Sequence, residues 1–257
     1  MKIGWIKYLN TLPFDFEKTG LKLDFYYSLV KGVPSQINNF LSKGIVDVGF
    51  ISSAHYIKNY KKYLILPELS ISSLNRVKSV IILSDTPIEK INRIYLTEES
   101  ETSKLLTKVI FKVFLKKDIN YLDLKDENIK DKEAVLLIGD KAINYLNEKN
   151  YRYDLSEIWY RKTGLPFVFA LWCVRKEYYL KNKEKVIKLQ GILKKSKNIF
   201  FEKPEKYIND SFSIEYLKNL DYCFSEEHLK SLKLFSEYLY QMRLIEEKPV
   251  FNFVEVT

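Results

Sequence analysis

The chain is poor in the residues that catalysis most often borrows. It has two histidines, His55 and His228, and they form no H-E-x-x-H pattern. A zinc site or a histidine-centred triad would need ligands that this chain barely has. The two cysteines, Cys173 and Cys223, form no C-x-x-C pair and read as two thiols in a reducing compartment. Arginine is scarce as well, since 36 of the 42 basic residues are lysine. Arginine is the residue expected for bidentate contacts to phosphates and bases. The formal charge of +9, spread over scattered lysines, therefore reads as a solvated surface rather than a nucleic-acid site. It can still draw in an anionic metabolite. There is no apolar run of 18 residues, so no membrane-spanning helix is expected. Met1–Phe14 carries Lys2 and Lys7 but no apolar signal core, so a cytoplasmic location is expected.

What is present is ample material for a core. The chain is 46% hydrophobic and 29% charged, which excludes a disordered chain, and 257 residues suit one large domain or two lobes. Strand and helix signals alternate over the first 85 or so residues, as in α/β folds. Strands are expected at Lys2–Lys7, Leu23–Tyr27, Ile45–Ile51 and Ser79–Leu83, and a helix opens at Pro34 and ends before Gly44. After a break at Asp85-Thr86-Pro87, a middle block reads as strand Arg93–Thr97, helix Leu105–Leu115 capped by Thr102 or Ser103, and strands Asn120–Leu124 and Ala134–Ile138. Phe167–Val174 is apolar throughout and reads as a fully buried strand. Helices follow at Lys183–Phe201, Ile214–Leu220 and Glu226–Ile245, with a short final strand at Phe251–Val256. Leu229, Leu232, Phe235 and Leu239 mark the core stripe of the last helix. The expected architecture is two α/β lobes, residues 1–88 with 170–257 and residues 89–169, with a ligand cleft between them.

Several strand tips carry neutral polar residues, and ligands of open α/β sheets bind at such tips. Tyr8-Leu9-Asn10-Thr11-Leu12-Pro13 ends the first strand with an amide, a hydroxyl and a proline. Asn and Thr there can orient a hydroxyl or carboxylate, or simply satisfy their own turn. Ser52 and Ser53 end another strand; without a G-x-S-x-G elbow they read as hydrogen-bonding or capping groups rather than a nucleophile. Ser79 opens a strand beside Arg76 and Lys78 and can hold a carboxylate near positive charge, or be an ordinary strand-end serine. Ser100-Glu101-Thr102-Ser103 precedes a helix whose free N–H groups suit an anion. Asp140 reads as a helix cap and His55 as a packing residue.

These motifs, taken in order, resemble the menaquinone-biosynthesis family of the futalosine route. The resemblance spans about residues 2–175 and rests on Tyr8–Pro13, on Gly32-Val33-Pro34 with Asn38, Leu41 and Gly44, and on Val46-Asp47 through Ser53. It rests also on Ser79-Val80, Ser100–Ser103, Leu137–Ala142, Asp154-Leu155, Trp159 and the long run Thr163–Trp172. It implies a type 2 periplasmic-binding-protein-like fold and a hydro-lyase that removes water from chorismate to give 3-[(1-carboxyvinyl)oxy]benzoate, with no cofactor and no metal. By the same resemblance Asn10 and Ser79 are active-site residues. Tyr8, Thr11, Ser52, Ser53, Thr102, Ser103 and Phe167 are expected to line the substrate site. A sister enzyme making 1,4-dihydroxy-6-naphthoate shares the fold, but it relies on a histidine and a Ser-Pro-Asp-like first tip where this chain has Tyr-Leu-Asn-Thr. A non-catalytic small-anion-binding module is the alternative from another class.

Overall fold

A computed structural model of the chain describes residues 1–125 and 128–255. In chain order the strands are β1 (Lys2–Ile6), β2 (Ser28–Gly32), β3 (Val48–Ser52), β4 (Tyr63–Ser73), β5 (Val80–Ser84), β6 (Arg93–Leu96), β7 (Asn120–Asp123), β8 (Ala134–Ile138), β9 (Tyr151–Asp154) and β10 (Phe167–Arg175). The helices are α1 (Pro34–Ser42), α2 (Ser53–Asn59), α3 (Glu101–Val109), α4 (Gly139–Asn144), α5 (Leu155–Thr163), α6 (Lys176–Lys181), α7 (Lys183–Glu202), α8 (Ser211–Asn219) and α9 (Glu226–Gln241). The described residues form two five-stranded sheets, ordered β2-β1-β3-β10-β4 and β7-β6-β8-β5-β9.

The contacts divide the chain into two compact units. The first comprises residues 1–72, 168–225 and 249–257; the second comprises 73–167 and 226–248. The first crossing thus falls at 72/73 rather than near 88, because β5 pairs with β8 on one side and β9 on the other. Helix α9 belongs to the second unit, where Phe235 and Tyr238 pack against Trp159.

In the first unit β1 runs parallel to both β2 and β3, and β10 runs antiparallel to β3. One face of this sheet is aromatic: Trp172 lies 5.4 Å from Trp5 and 5.3 Å from Phe50, with Phe14 packed on Phe50 and Trp172. The other face is bare backbone at Gly4 and Gly49, and α1 lies close against it. A Cβ on Gly4 would meet Ile37 Cγ2 at 2.9 Å. Helix α1 begins at Pro34 and ends ahead of Gly44, at φ +71°, as its sequence predicts.

The second unit has β6 parallel to β7 and β8, with β5 antiparallel to β8 and β9. Trp159 of α5 anchors one side of its core, edge-on to Phe167 at 5.1 Å, with its Nε1 donating to Ser231 Oγ at 3.1 Å. Ile81, Leu83, Val135, Leu137 and Ala142 form a smaller cluster.

Several elements differ from their sequence reading. Leu23–Tyr27 is not a strand. Pairing with β1 starts at Ser28, opposite Lys2, while Tyr26 is exposed and Tyr27 donates to Glu17 at 2.6 Å. β4 has no counterpart in the sequence reading, because Pro67 and three serines interrupt its apolar residues. It lies at the edge of its sheet, where proline is tolerated, and Glu68, the residue after Pro67 within the strand, takes φ +64°. β9 and α5 were also missed, β9 being only four residues long and largely exposed. Helix α3 starts at Glu101, and its cap is Ser100, whose Oγ accepts the Ser103 amide at 3.2 Å. Residues Ile110–Phe114 continue it as a wider π-helical turn. In Phe251–Val256 only a bridge between Ile65 and Phe253 forms, and Val256 lies outside the described residues. Leu232, Phe235 and Leu239 of α9 are buried as expected, whereas Leu229 is only partly so.

Candidate active site

Strand direction gathers the expected residues at one edge of each sheet. In the first unit the C-terminal ends of β1 and β3 lie side by side, and antiparallel β10 brings its N-terminal end to the same edge, with Ala170 opposite Ser52. Tyr8, Asn10, Thr11, Ser52 and Ser53 all follow from that edge. In the second unit Val80 pairs with Ile138, and Gly139 N donates to Ser79 O at 2.8 Å. The C-terminal end of β6, parallel to β8, lies at this same edge and leads into α3 with Thr102 and Ser103.

On the first rim most polar groups are already spoken for. Residues Leu9–Phe14 form a tight 3-10 turn that Pro13 suits. Thr11 Oγ1 lies 2.9 Å from both Ile6 O and Tyr8 O, so the hydroxyl locks the turn. Ser196 of α7, fully buried, donates to Pro13 O at 3.0 Å and receives Thr19 Oγ1 at 3.0 Å, which pins the turn from behind. Ser53 Oγ donates to Val168 O at 2.8 Å and joins β3 to β10. Ser52 is gripped by Asn38: Asn38 Nδ2 donates to Ser52 Oγ at 2.9 Å, and Ser52 N donates to Asn38 Oδ1 at 3.1 Å. Ser52 retains its own hydroxyl proton to donate.

Asn10 is the exception. Its Oδ1 is buried and meets no hydrogen-bond donor among the described residues. A buried acceptor left this way costs about 1–3 kcal/mol. Trp172 Nε1 and Tyr222 OH are in the same condition, and both rings pack against Phe14 at the end of the same turn. Burial also holds the Tyr222 phenol well above its ordinary pKa, so it is a neutral donor. Sequence reading missed Tyr222, since an isolated tyrosine carries no local signal, and it gave Asn38 only as part of a motif, without its grip on Ser52.

The second rim has Ser79 buried, with its Oγ 3.5 Å from Val77 O. Arg76 does not stand free: Glu157 holds its Nε at 2.8 Å and its Nη2 at 3.2 Å. Thr102 and Ser103 are buried in the first turn of α3, and Ser103 Oγ lies 3.0 Å from Ser100 Oγ. A cavity of about 330 Å³ opens at this edge, with Thr97, Glu99, Ile138, Lys141 and Tyr145 in its wall. Glu99 and Lys141 approach to 3.4 Å across it. Phe167 is not at a rim surface; its ring lies in the core against Trp159 and Phe235. Asp140 is exposed in the first turn of α4, whose cap position is Ile138. His55 Nε2 contacts Ser42 Oγ at 3.0 Å and Tyr63 OH at 3.3 Å, a packing role. Among the described residues no cluster of three His, Cys, Asp or Glu is placed to hold a metal. No helix among them is long and apolar enough to cross a membrane.

Two α/β units, each with a polar strand-tip rim, define a periplasmic-binding-protein-like fold. The periplasmic aliphatic sulphonate binding protein of Escherichia coli superposes with a TM-score of 0.68 at 13% identity, covering 97% of this chain and 94% of its own. A family model described as menaquinone biosynthesis matches residues 1–241. The chain is 30% identical to the chorismate dehydratase of Thermus thermophilus, over 68% of this chain and 70% of that one. It is 35% identical to the chorismate dehydratase of Campylobacter jejuni, over 69% of each. The protein belongs to the menaquinone-biosynthesis family.

Proposed function

We propose that this protein is a chorismate dehydratase, a cytoplasmic hydro-lyase that converts chorismate into 3-[(1-carboxyvinyl)oxy]benzoate and water. Two relatives of that name support the reading. The observation that carries it to a site is the unpartnered Oδ1 of Asn10 at the first rim. Loss of the ring C3 proton and the C4 hydroxyl makes the ring aromatic, so the driving force resides in the substrate. The protein has to orient the dianion and stabilise charge as the C–O bond breaks. In this reading Asn10 and Ser79 hold the carboxylates or assist the departing hydroxyl, with Asn10 Oδ1 accepting from the C4 hydroxyl, since an amide oxygen cannot donate to a carboxylate. Ser52, Thr102, Ser103 and the amides of the α3 N-terminus bind the remaining oxygens, with Tyr8, Thr11 and Ser53 shaping the first rim. The enolpyruvyl carboxylate of the substrate takes the C3 proton, and the reaction requires neither cofactor nor metal.

The test is to incubate the purified protein with chorismate and follow products by liquid chromatography with mass detection. A product lighter by one water, with a benzoate spectrum, is expected. Intact chorismate beside a folded protein would overturn the assignment.

A further inference from the structure

The turn that delivers Ser79 is held by a carboxylate to which the proposed reaction gives no part. Asp154, at the end of β9, is only 9% exposed. Its Oδ2 accepts the Lys78 amide at 2.7 Å. Its Oδ1 accepts the Val77 amide at 3.2 Å and, as the cap of α5, the amides of Ser156 and Glu157 at 3.0 and 3.2 Å. Lys78 sits at φ +62°, a left-handed backbone that costs a residue with a Cβ roughly 1–2 kcal/mol. A strained turn of this kind persists only when its surroundings over-determine it. Here a carboxyl oxygen is aimed at the strained residue's own N–H. Glu157, one turn further along α5, grips Arg76 on the same turn. The next residue is Ser79, whose carbonyl is fixed by Gly139 N.

We propose that Asp154 is a positioning residue for Ser79: by holding the amides of Val77 and Lys78 it fixes the turn from which the Ser79 hydroxyl is presented. The inference rests on the reading that Ser79 acts on the substrate. Asp154 has no contact with the reacting atoms in it, and its effect passes through the backbone.

Asp154→Asn separates the two duties of the side chain. The amide oxygen can keep the three bonds of Oδ1, and asparagine caps helices well. The amide nitrogen then faces the Lys78 N–H, donor against donor. Expected is a fall in kcat of about tenfold or more with KM nearly unchanged, as for a misplaced catalytic group. Measured in a Ser79→Ala background, the same substitution should cost nothing further, because the group it positions is gone. Lys78→Gly, which accepts φ +62° without strain, should restore part of the lost kcat when added to Asp154→Asn. Should Asp154→Asn fail to fold, Asp154→Ser keeps a capping oxygen on a side chain too short to reach Lys78 and serves in the same cycle. Impaired Ser79→Ala with unimpaired Asp154→Asn would overturn the positioning role alone. So would losses that multiply in the double variant. Ser79→Ala with wild-type kcat would overturn the reading beneath it as well.

Discussion

Asn10 and Asp154 show opposite uses of a polar side chain. Asn10 has an oxygen that nothing in its own unit satisfies, so removing it should not destabilise the fold. Asn10→Ala is expected to leave the unfolding free energy unchanged or raise it, by at most the roughly 1–3 kcal/mol that the unsatisfied acceptor costs. It should lower kcat/KM for chorismate by about 10²-fold, the usual loss when a preorganised polar group is removed from a developing charge. Thermal melts beside steady-state kinetics check both halves; a large loss of stability with intact turnover would make Asn10 a structural residue. Asp154 is satisfied four times over yet buried. Burial raises its carboxyl pKa above the ordinary 3.8, with the four amide bonds pulling the other way. A raised folded pKa means a contribution that is complete below about pH 3.8 and lost as pH rises through the folded value. The stability of the wild type relative to Asp154→Asn should therefore decline from that acid limit towards neutrality in urea titrations. A rise over the same range would show that the amides outweigh desolvation.

At the level of elements, the first rim depends on how closely α1 lies against its sheet. Gly4 and Gly49 leave room for Ile37, and that approach lets Asn38 reach the end of β3 and clasp Ser52. Gly4→Val should overpack this contact, with the Ile37 methyl only 2.9 Å from the first added carbon. A loss of about 1–3 kcal/mol is expected in denaturant titration. Asn38→Ala leaves the Ser52 amide buried without its acceptor and should cost a similar about 1–3 kcal/mol. It should also reduce turnover if Ser52 binds substrate as proposed; unchanged activity in a destabilised protein would remove Ser52 from the site. The α3 end of the second rim is simpler. Ser100 caps it by accepting the Ser103 amide, and Ser103 Oγ doubles the contact, which sets the first turn of a regular helix at the sheet edge.

For the whole molecule, charge matters more than any one pair. A formal +9 on a protein whose proposed substrate is a dianion should speed encounter at low ionic strength. kcat/KM for chorismate is expected to fall severalfold between about 0.02 and 0.5 M salt, as the Debye length shrinks to a few ångströms, with kcat less affected. A salt-independent kcat/KM would mean that the field takes no part in capture.

The sequence by itself determined the class of fold, the family and most strand-tip positions. Those rest on local regularities: period-two and period-3.6 burial, Pro34 at a helix start, Gly44 past its end, and contiguous motifs such as Thr163–Trp172. Sequence reading could not find β4, whose apolar pattern is broken by Pro67 and serines and whose place comes from pairing with β10. Nor could it show that Arg76 is already held by Glu157, or that Phe167 belongs to the core. The grip of Asn38 on Ser52 and of Asp154 on Lys78 was equally hidden. Asp154 stands 76 residues from Lys78 in the chain, so only the pairing of β9 with β5 brings them together. Local chemistry could say which groups sit at strand tips. Which of those groups remain available to a ligand depends on long-range partners, and that only the tertiary structure decided.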